Sequence, residues 1–236
     1  MNISTYLKEN NVIINEKLIK NTDINPYKQI ELIIKIHEIL INQNKTIIPR
    51  INSTIGKEVE NFKMQIKKVN RILNRFEKEK NIDYIDIYFI DTATLIVKQA
   101  SSCIECIEDE NYYSLIKRSM KNYELCLGRV DESNLILEEN GDIAIRTVKY
   151  ISYNLIEQDI LSYIKRVKRR KINIDIDKLI DVFIDKSGLD DKSKQYIKSL
   201  EAYPLESMRL LSRYNTLKNE DFIGRLEQAI KIDKIE

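Results

Sequence analysis

Apolar side chains recur at steps of three and four along most of this chain, which is the helical period. After Gly56, the residues Phe62, Ile66, Val69, Leu73 and Phe76 form one stripe. Lys63, Lys67, Lys68, Arg71, Arg75 and Lys78 decorate the opposite side, so one face packs and the other is basic and solvated. The stripe lasts about two heptads, short of the three or four that identify a coiled coil. A second long helix is predicted from Tyr84 to about Ile107, with Ile85, Phe89, Thr92, Ile96, Ala100 and Cys103 on one stripe. Pro26, harmless at a first-turn position, opens another through IELIIKIHEILIN. The same reasoning predicts helices over Tyr112–Met120, Leu155–Arg170, Asp177–Lys186, Asp190–Ala202, Pro204 to about Tyr214, and Asn219–Ile230. Met1 to Asn25 is polar and weakly periodic, with short helices expected around Ser4–Glu9 and Asn15–Lys20.

One stretch departs from the helical period. Leu125–Leu127, Leu135–Leu137 and Ile143–Ile145 are short strand-like runs, and Asn140-Gly141 between the last two is a strong hairpin signal. The polar loop from Gly128 to Asn134 therefore sits at the mouth of a small hairpin, followed by a helix.

Composition narrows the class. Hydrophobic content of 43% and charged content of 32% describe an ordinary globular protein, and five glycines with three prolines leave few loops to punctuate. A net charge of +2 supplies no global field for nucleic acid or an anionic membrane, so an electrostatic partner needs a local patch. No apolar run is long enough for a signal peptide or a membrane span, and three cysteines are too few for a disulfide framework. The expected location is cytoplasmic. Cys103 and Cys106 form a Cys-x-x-Cys that can be read as half a zinc site or a redox pair. Without a second pair it reads instead as two small apolar residues on a helix. His37, a lone histidine on an apolar helix, reads as a core or interface residue, and no metal site is expected.

The stretch from Glu124 to Asp159 resembles the catalytic core of the aminoglycoside and choline kinase-like phosphotransferases. Their pattern is His-Gly-Asp, four residues, Asn, a strand, a turn, and a strand ending in Asp-Phe or Asp-Trp. On this chain Leu127-Gly128-Arg129 falls on the first motif, Asn134 on the Asn, and Thr147-Val148 on the last. The helix from Leu32 to Leu40, containing His37, is similar to the Leu-x-x-Leu-His-x-x-Leu helix that begins the family's C-terminal lobe. The phrases LIKRSM before ELCLG, and YIKSLEAYPLESMRLLSRY near the end, resemble the spore-coat branch of the superfamily.

The resemblance implies a mostly α (α+β) fold, the C-terminal lobe of a kinase-like phosphotransferase with a small central β-hairpin. Only about twenty-five residues precede Pro26, so the N-terminal nucleotide lobe is expected to be absent, with residues 1–25 a short segment and 26–236 the helical domain. In the family the loop Asp accepts the substrate's proton, and the Asn with the second Asp holds magnesium. Leu127, Arg129 and Thr147 keep that spacing and lose that chemistry. A guanidinium stays charged and accepts no proton, and a threonine hydroxyl is a poor substitute for a carboxylate on a hard cation. Gly128, Asn134 and Asp159 are expected to keep the loop's shape, Asp159 by bracing its backbone. The alternative for Asp159 is a solvated first-turn carboxylate favoured by the helix dipole.

These readings imply a catalytically inactive, pseudokinase-like protein without cofactor, acting with other sporulation or spore-coat proteins. The alternatives are a divergent small-molecule phosphotransferase and a nucleic-acid-binding helical module. The second rests on Lys165, Arg166, Lys168, Arg169, Arg170 and Lys171, a run that the dipole at a helix C-terminus also favours. Arg129 with Arg146 and Lys149 can convert a magnesium-nucleotide site into one that attracts an anion. Arg129 can equally pair with Asp131, Glu132 or Asp159 and fasten the loop.

Overall fold

The computed structural model describes residues 2–17, 25–41, 48, 50–107 and 110–234. In chain order its elements are α1 (Ile3–Glu9), β1 (Val12–Ile14), α2 (Pro26–Ile41), α3 (Lys57–Phe76), α4 (Tyr84–Glu105), α5 (Glu110–Asn122), β2 (Leu125–Cys126), β3 (Leu135–Leu137), β4 (Ile143–Ile145), β5 (Ser152–Tyr153), α6 (Glu157–Arg169), α7 (Ile176–Ser187), α8 (Asp191–Glu201), α9 (Leu205–Leu211), α10 (Tyr214–Leu217) and α11 (Phe222–Asp233). The chain is mostly helical with a few small strands, and it folds as two compact units.

The first unit comprises Met1–Gly56 and Glu110–Ile197. Asn25 caps α2, its Oδ1 accepting from the N–H groups of Tyr27 and Lys28, so the helix starts at Pro26 as the sequence predicts. α2 runs through the middle of this unit, with Ile30, Ile33, Ile36 and Leu40 fully buried, and packs on α6 and α7. The β3–β4 hairpin pairs Leu135 with Ile145 and Leu137 with Ile143. Its turn is longer than a two-residue Asn-Gly loop. The Glu138 N–H donates to the Asp142 carbonyl, and Gly141 takes a φ of +89°, the left-handed position of a three-residue hairpin loop.

A third strand joins that hairpin. β1 lies parallel to β4, in the order β1-β4-β3, and the Tyr6 hydroxyl of α1 donates to the Ile39 carbonyl of α2. The expected boundary after residue 25 is thus crossed by contacts within this unit. Val12–Ile14 is too short an apolar run to signal a strand by itself; pairing with β4 makes it one. Asn15–Lys17 form a turn rather than the start of a helix, and the rest of that expected helix lies outside the described residues. β2 and β5 form a separate two-stranded sheet, which Ser53 extends by a bridge to Tyr153.

The second unit comprises Lys57–Asp109 and Lys198–Glu236. α3 packs along α4, and α9 and α11 pack on each other and on α4. On α3, Phe62, Val69, Ile72 and Phe76 are buried, while Lys67, Lys68, Arg71 and Arg75 are exposed. On α4 the buried stripe passes through Ala93, with Thr92 only half-buried beside it. Asp83 and Asp86 form a capping box at the start of α4. The helix expected from Pro204 to Tyr214 breaks after Leu211, and Tyr214 turns into a cluster with Phe76, Phe89 and Phe222. Cys103 is buried and Cys106 exposed, both as free thiols. Burial, then the neighbouring Cys106, pushes the Cys103 thiol up to about 11, so it is an inert core sulfur rather than a nucleophile.

Candidate functional site

The loop between β2 and β3 is held by buried polar groups on α2, on α6 and in the hairpin. Asp159, in the first turn of α6, is 1% exposed. Its Oδ2 accepts from the Leu127 N–H and its Oδ1 from the Gly128 N–H, both at 2.8 Å. His37 Nε2 lies 2.8 Å from the same Oδ2. A buried carboxylate with three donors is fully satisfied, and it fixes the direction in which the loop leaves β2. Gly128 has a φ of +75°, and a Cβ there would lie 2.4 Å from the Tyr150 carbonyl oxygen, so only glycine fits.

Gln29 anchors the middle of the loop. It lies two turns before His37 on the same side of α2, and its Nε2 donates to the carbonyls of Val130 at 2.6 Å and Leu135 at 3.0 Å. Asn134 closes the loop. Its Nδ2 donates to the Arg129 carbonyl at 2.6 Å, its Oδ1 accepts from the Thr147 N–H at 2.9 Å, and the residue is 0% exposed. Both ends of the carboxamide therefore staple backbone to backbone. Thr147 is half-buried, and its hydroxyl accepts from the Lys149 N–H.

An acidic pair faces the basic end of α6. The Glu132 carboxylate accepts from the Tyr163 hydroxyl at 2.9 Å and from Arg170 Nη1 at 2.5 Å. Burial, reinforced by the Glu132 charge, pushes the Tyr163 phenol far up, so it stays a donor. Asp131 Oδ1 accepts from the Ser133 N–H and its hydroxyl and faces Arg166 Nη2 at 3.3 Å; its Oδ2 faces Arg129 Nε at 3.7 Å. Arg129, 39% exposed, also donates to Ser133 Oγ at 2.9 Å.

These residues border a cavity of about 230 Å³ whose lining includes Arg129, Asp131, Tyr150, Ser162, Arg166 and Arg169. Not every expected basic residue is there. Arg146 donates from Nε to the Glu16 carbonyl, and Lys149 extends over the Tyr150 ring at 5.9 Å. The run from Lys165 to Lys171 is likewise not one patch, because Arg166 and Arg170 turn inward to Asp131 and Glu132. Lys171, with a φ of +54°, ends it in the left-handed region.

A second polar cluster braces the strand that leads into the loop. Arg118 of α5 donates from Nε to Glu124, from Nη2 to both Glu124 and Glu157, and from Nη1 to Ser193. Glu157 is 0% and Glu124 3% exposed. Burial opposes the Arg118 charge, but hydrogen bonds and attraction from the two glutamates outweigh it and hold the guanidinium well above its ordinary value.

Sequence reasoning missed Gln29, the Asp131–Glu132 pair as a facing group, and the Arg118 cluster. Two of these left a readable trace. Gln29 is eight residues from His37, and Arg166 and Arg170 are four apart, a helical spacing that puts each pair on one side.

Comparison with known proteins places the fold. No protein-family profile matches the sequence, and no curated protein matches it. Among solved structures, the aminoglycoside phosphotransferase from Alicyclobacillus acidocaldarius subsp. acidocaldarius superposes with a TM-score of 0.67 at 10% identity, over 94% of this chain. The chain spans 65% of the length of that neighbour. At such low identity the likeness is one of fold. Among the described residues no helix is long and apolar enough to cross a membrane.

Proposed function

We propose that this chain is a kinase-like fold that carries out no phosphoryl transfer and acts as a structural or interaction protein. One observation carries the reading. At the positions where the family places its proton acceptor and metal carboxylate stand Arg129 and Thr147, and the intervening Asn134 is fully buried with both ends of its amide spent on backbone. Phosphoryl transfer depends on positioning magnesium and the nucleophile. Here the first position carries a permanent cation, the second a neutral hydroxyl, and the third offers no exposed oxygen.

The loop's form is nonetheless held by Asp159, Gly128, Gln29 and Asn134. A loop kept in shape without its reactive groups suits a surface recognised by another protein. The phrases LIKRSM-x₃-ELCLG and YIKSLEAYPLESMRLLSRY support the bacterial spore coat as the setting, with coat or sporulation proteins as partners.

A competing reading is a divergent phosphotransferase that completes its site with a lobe from elsewhere, and a fold like that of an aminoglycoside phosphotransferase is consistent with either. A thermal-shift titration with ATP and GTP, with and without magnesium or manganese, separates the two. A binder at a hundred times its Kd gains about 2.7 kcal/mol, or a few degrees in midpoint. No nucleotide-dependent shift is expected. A magnesium-dependent rise restores the enzyme reading and rejects the proposal.

A further inference from the structure

The outward side of α4 is apolar where a solvated helix is not. Tyr84 is 63%, Ile87 53% and Leu95 68% exposed, on the side opposite the buried stripe of Ile85, Phe89, Ile96 and Ala100. α3, of nearly equal length in the same unit, shows what water demands, because Lys67, Lys68, Arg71 and Arg75 stand outward there. A helix apolar on both sides is suited to being covered on both.

Two charges on that side point to what covers it. Asp91 and Lys98 are exposed, and neither has a hydrogen bond or ion pair among the described residues. Other charges of this unit find partners within the chain, Lys63 with Glu60, Arg75 with Glu79 and Lys218 with Asp83. Seven residues of helix set Asp91 and Lys98 about 10.5 Å apart along the axis, beyond the spacings of three and four that let side chains meet on one helix. Opposite charges placed on either side of Leu95 are, however, complementary to themselves in reverse. A second α4 running antiparallel, about a two-fold axis beside Leu95, sets each Asp91 against the other copy's Lys98. It also sets Leu95 against Leu95, and the Tyr84 hydroxyl against the exposed Glu105 carboxylate.

We propose that this chain forms a symmetric dimer through α4, with Leu95 at the two-fold axis and an Asp91 to Lys98 ion pair on each side of it. A two-fold contact uses the same patch on both copies, so the patch must complement itself, and this one does in both charge and apolar surface. One helix from each copy is a contact at the small end of specific interfaces, which puts the expected Kd on the order of micromolar. The inference goes beyond the reading of the loop and does not depend on it.

The test is sedimentation equilibrium of the full chain from about 1 to 200 µM, a range that brackets that Kd. A monomer and dimer in equilibrium are expected, with Kd weakened about tenfold or more by Leu95→Glu. Asp91→Lys and Lys98→Asp, each of which brings like charges together, are expected to weaken it similarly. The double variant Asp91→Lys with Lys98→Asp recovers both ion pairs and the wild-type Kd. Mixing the two single variants, at a concentration where each alone is monomeric, gives a heterodimer, because both pairs across the axis then join opposite charges. Met120→Glu, at a residue 61% exposed on α5, leaves Kd unchanged. Every substituted side chain is exposed, so the circular dichroism and urea midpoint of the variants are expected to match those of the wild type. A monomer across the whole range, a dimer that Leu95→Glu leaves intact, or one that the double variant fails to recover overturns the proposal.

Discussion

The loop in the first unit and the aromatic cluster in the second are both buried, yet they are held in different ways. Around the loop, Asp159, Gln29 and Asn134 spend their polar atoms on backbone N–H and C=O groups. In the second unit Phe76, Phe89, Tyr214 and Phe222 touch ring to ring, with the Phe89 and Tyr214 centroids 4.1 Å apart. One buried carboxylate enters that cluster: Asp86 accepts from the Tyr214 hydroxyl at 2.6 Å and from Lys218 at 2.7 Å. Directional bonds specify one backbone path, whereas packed rings specify volume and tolerate rotation. The difference teaches where shape matters, because a loop with no regular ladder of its own must borrow partners for its backbone groups, and packed helices need none.

The comparison breaks most visibly at Asp159. Asp159→Ala strands two N–H groups and His37 in the interior, and a cost of about 3–5 kcal/mol is expected by urea denaturation, with lost hydrogen-exchange protection at Leu127 and Gly128. Phe89→Ala is expected to cost about 3–5 kcal/mol by cavity formation, with protection lost in α4 and retained in the loop. Loss of loop protection in the second variant erases the distinction between the two regions.

Smaller changes sharpen it. Tyr214→Phe keeps the ring and removes one hydrogen bond, so about 1–2 kcal/mol is expected, well below the Phe89→Ala cost. Acid tests the carboxylate alone. Burial works to raise the Asp86 pKa, but hydrogen bonds from Lys218, Tyr214 and the Asp83 N–H outweigh it and hold the carboxyl below its ordinary value. With a folded pKa below the unfolded one, Asp86 contributes stability that is full above about pH 4 and is lost as pH falls through the folded value. Lys218→Met is expected to flatten the fall in unfolding free energy below that pH. Arg129→Gln comes last. Its ion pair with Asp131 is half-exposed, and a change within about 0.5 kcal/mol is expected by urea denaturation.

Most of the helices were legible because a buried stripe repeats every three or four residues, and α2, α3 and α4 carry that pattern for four turns or more. The β3–β4 hairpin was legible from Asn140-Gly141 between two apolar runs, although the turn it makes is longer than that dipeptide predicts. β1 and β5 were not legible. Strands of three and two residues carry too few side chains to show a period, and they exist only through their partners. The break between α9 and α10 was hidden for a similar reason. Tyr214 continues the apolar pattern of the helix before it, and only the cluster around Phe89 draws it out of register.

By itself the sequence determined the mostly helical class, the hairpin, the position of the loop, and which residue types stand at its reactive positions. Those follow from local periodicity, turn chemistry and side-chain identity, none of which needs a distant partner. The tertiary structure alone decided that Gln29 and His37 reach the loop from α2, that Arg166 and Arg170 leave the basic run to face Asp131 and Glu132, and that Arg129 borders a cavity together with Arg166. Each of these is a meeting of residues about thirty to more than a hundred positions apart. A hydrogen bond or an ion pair acts over a few ångströms of space and is indifferent to distance along the chain.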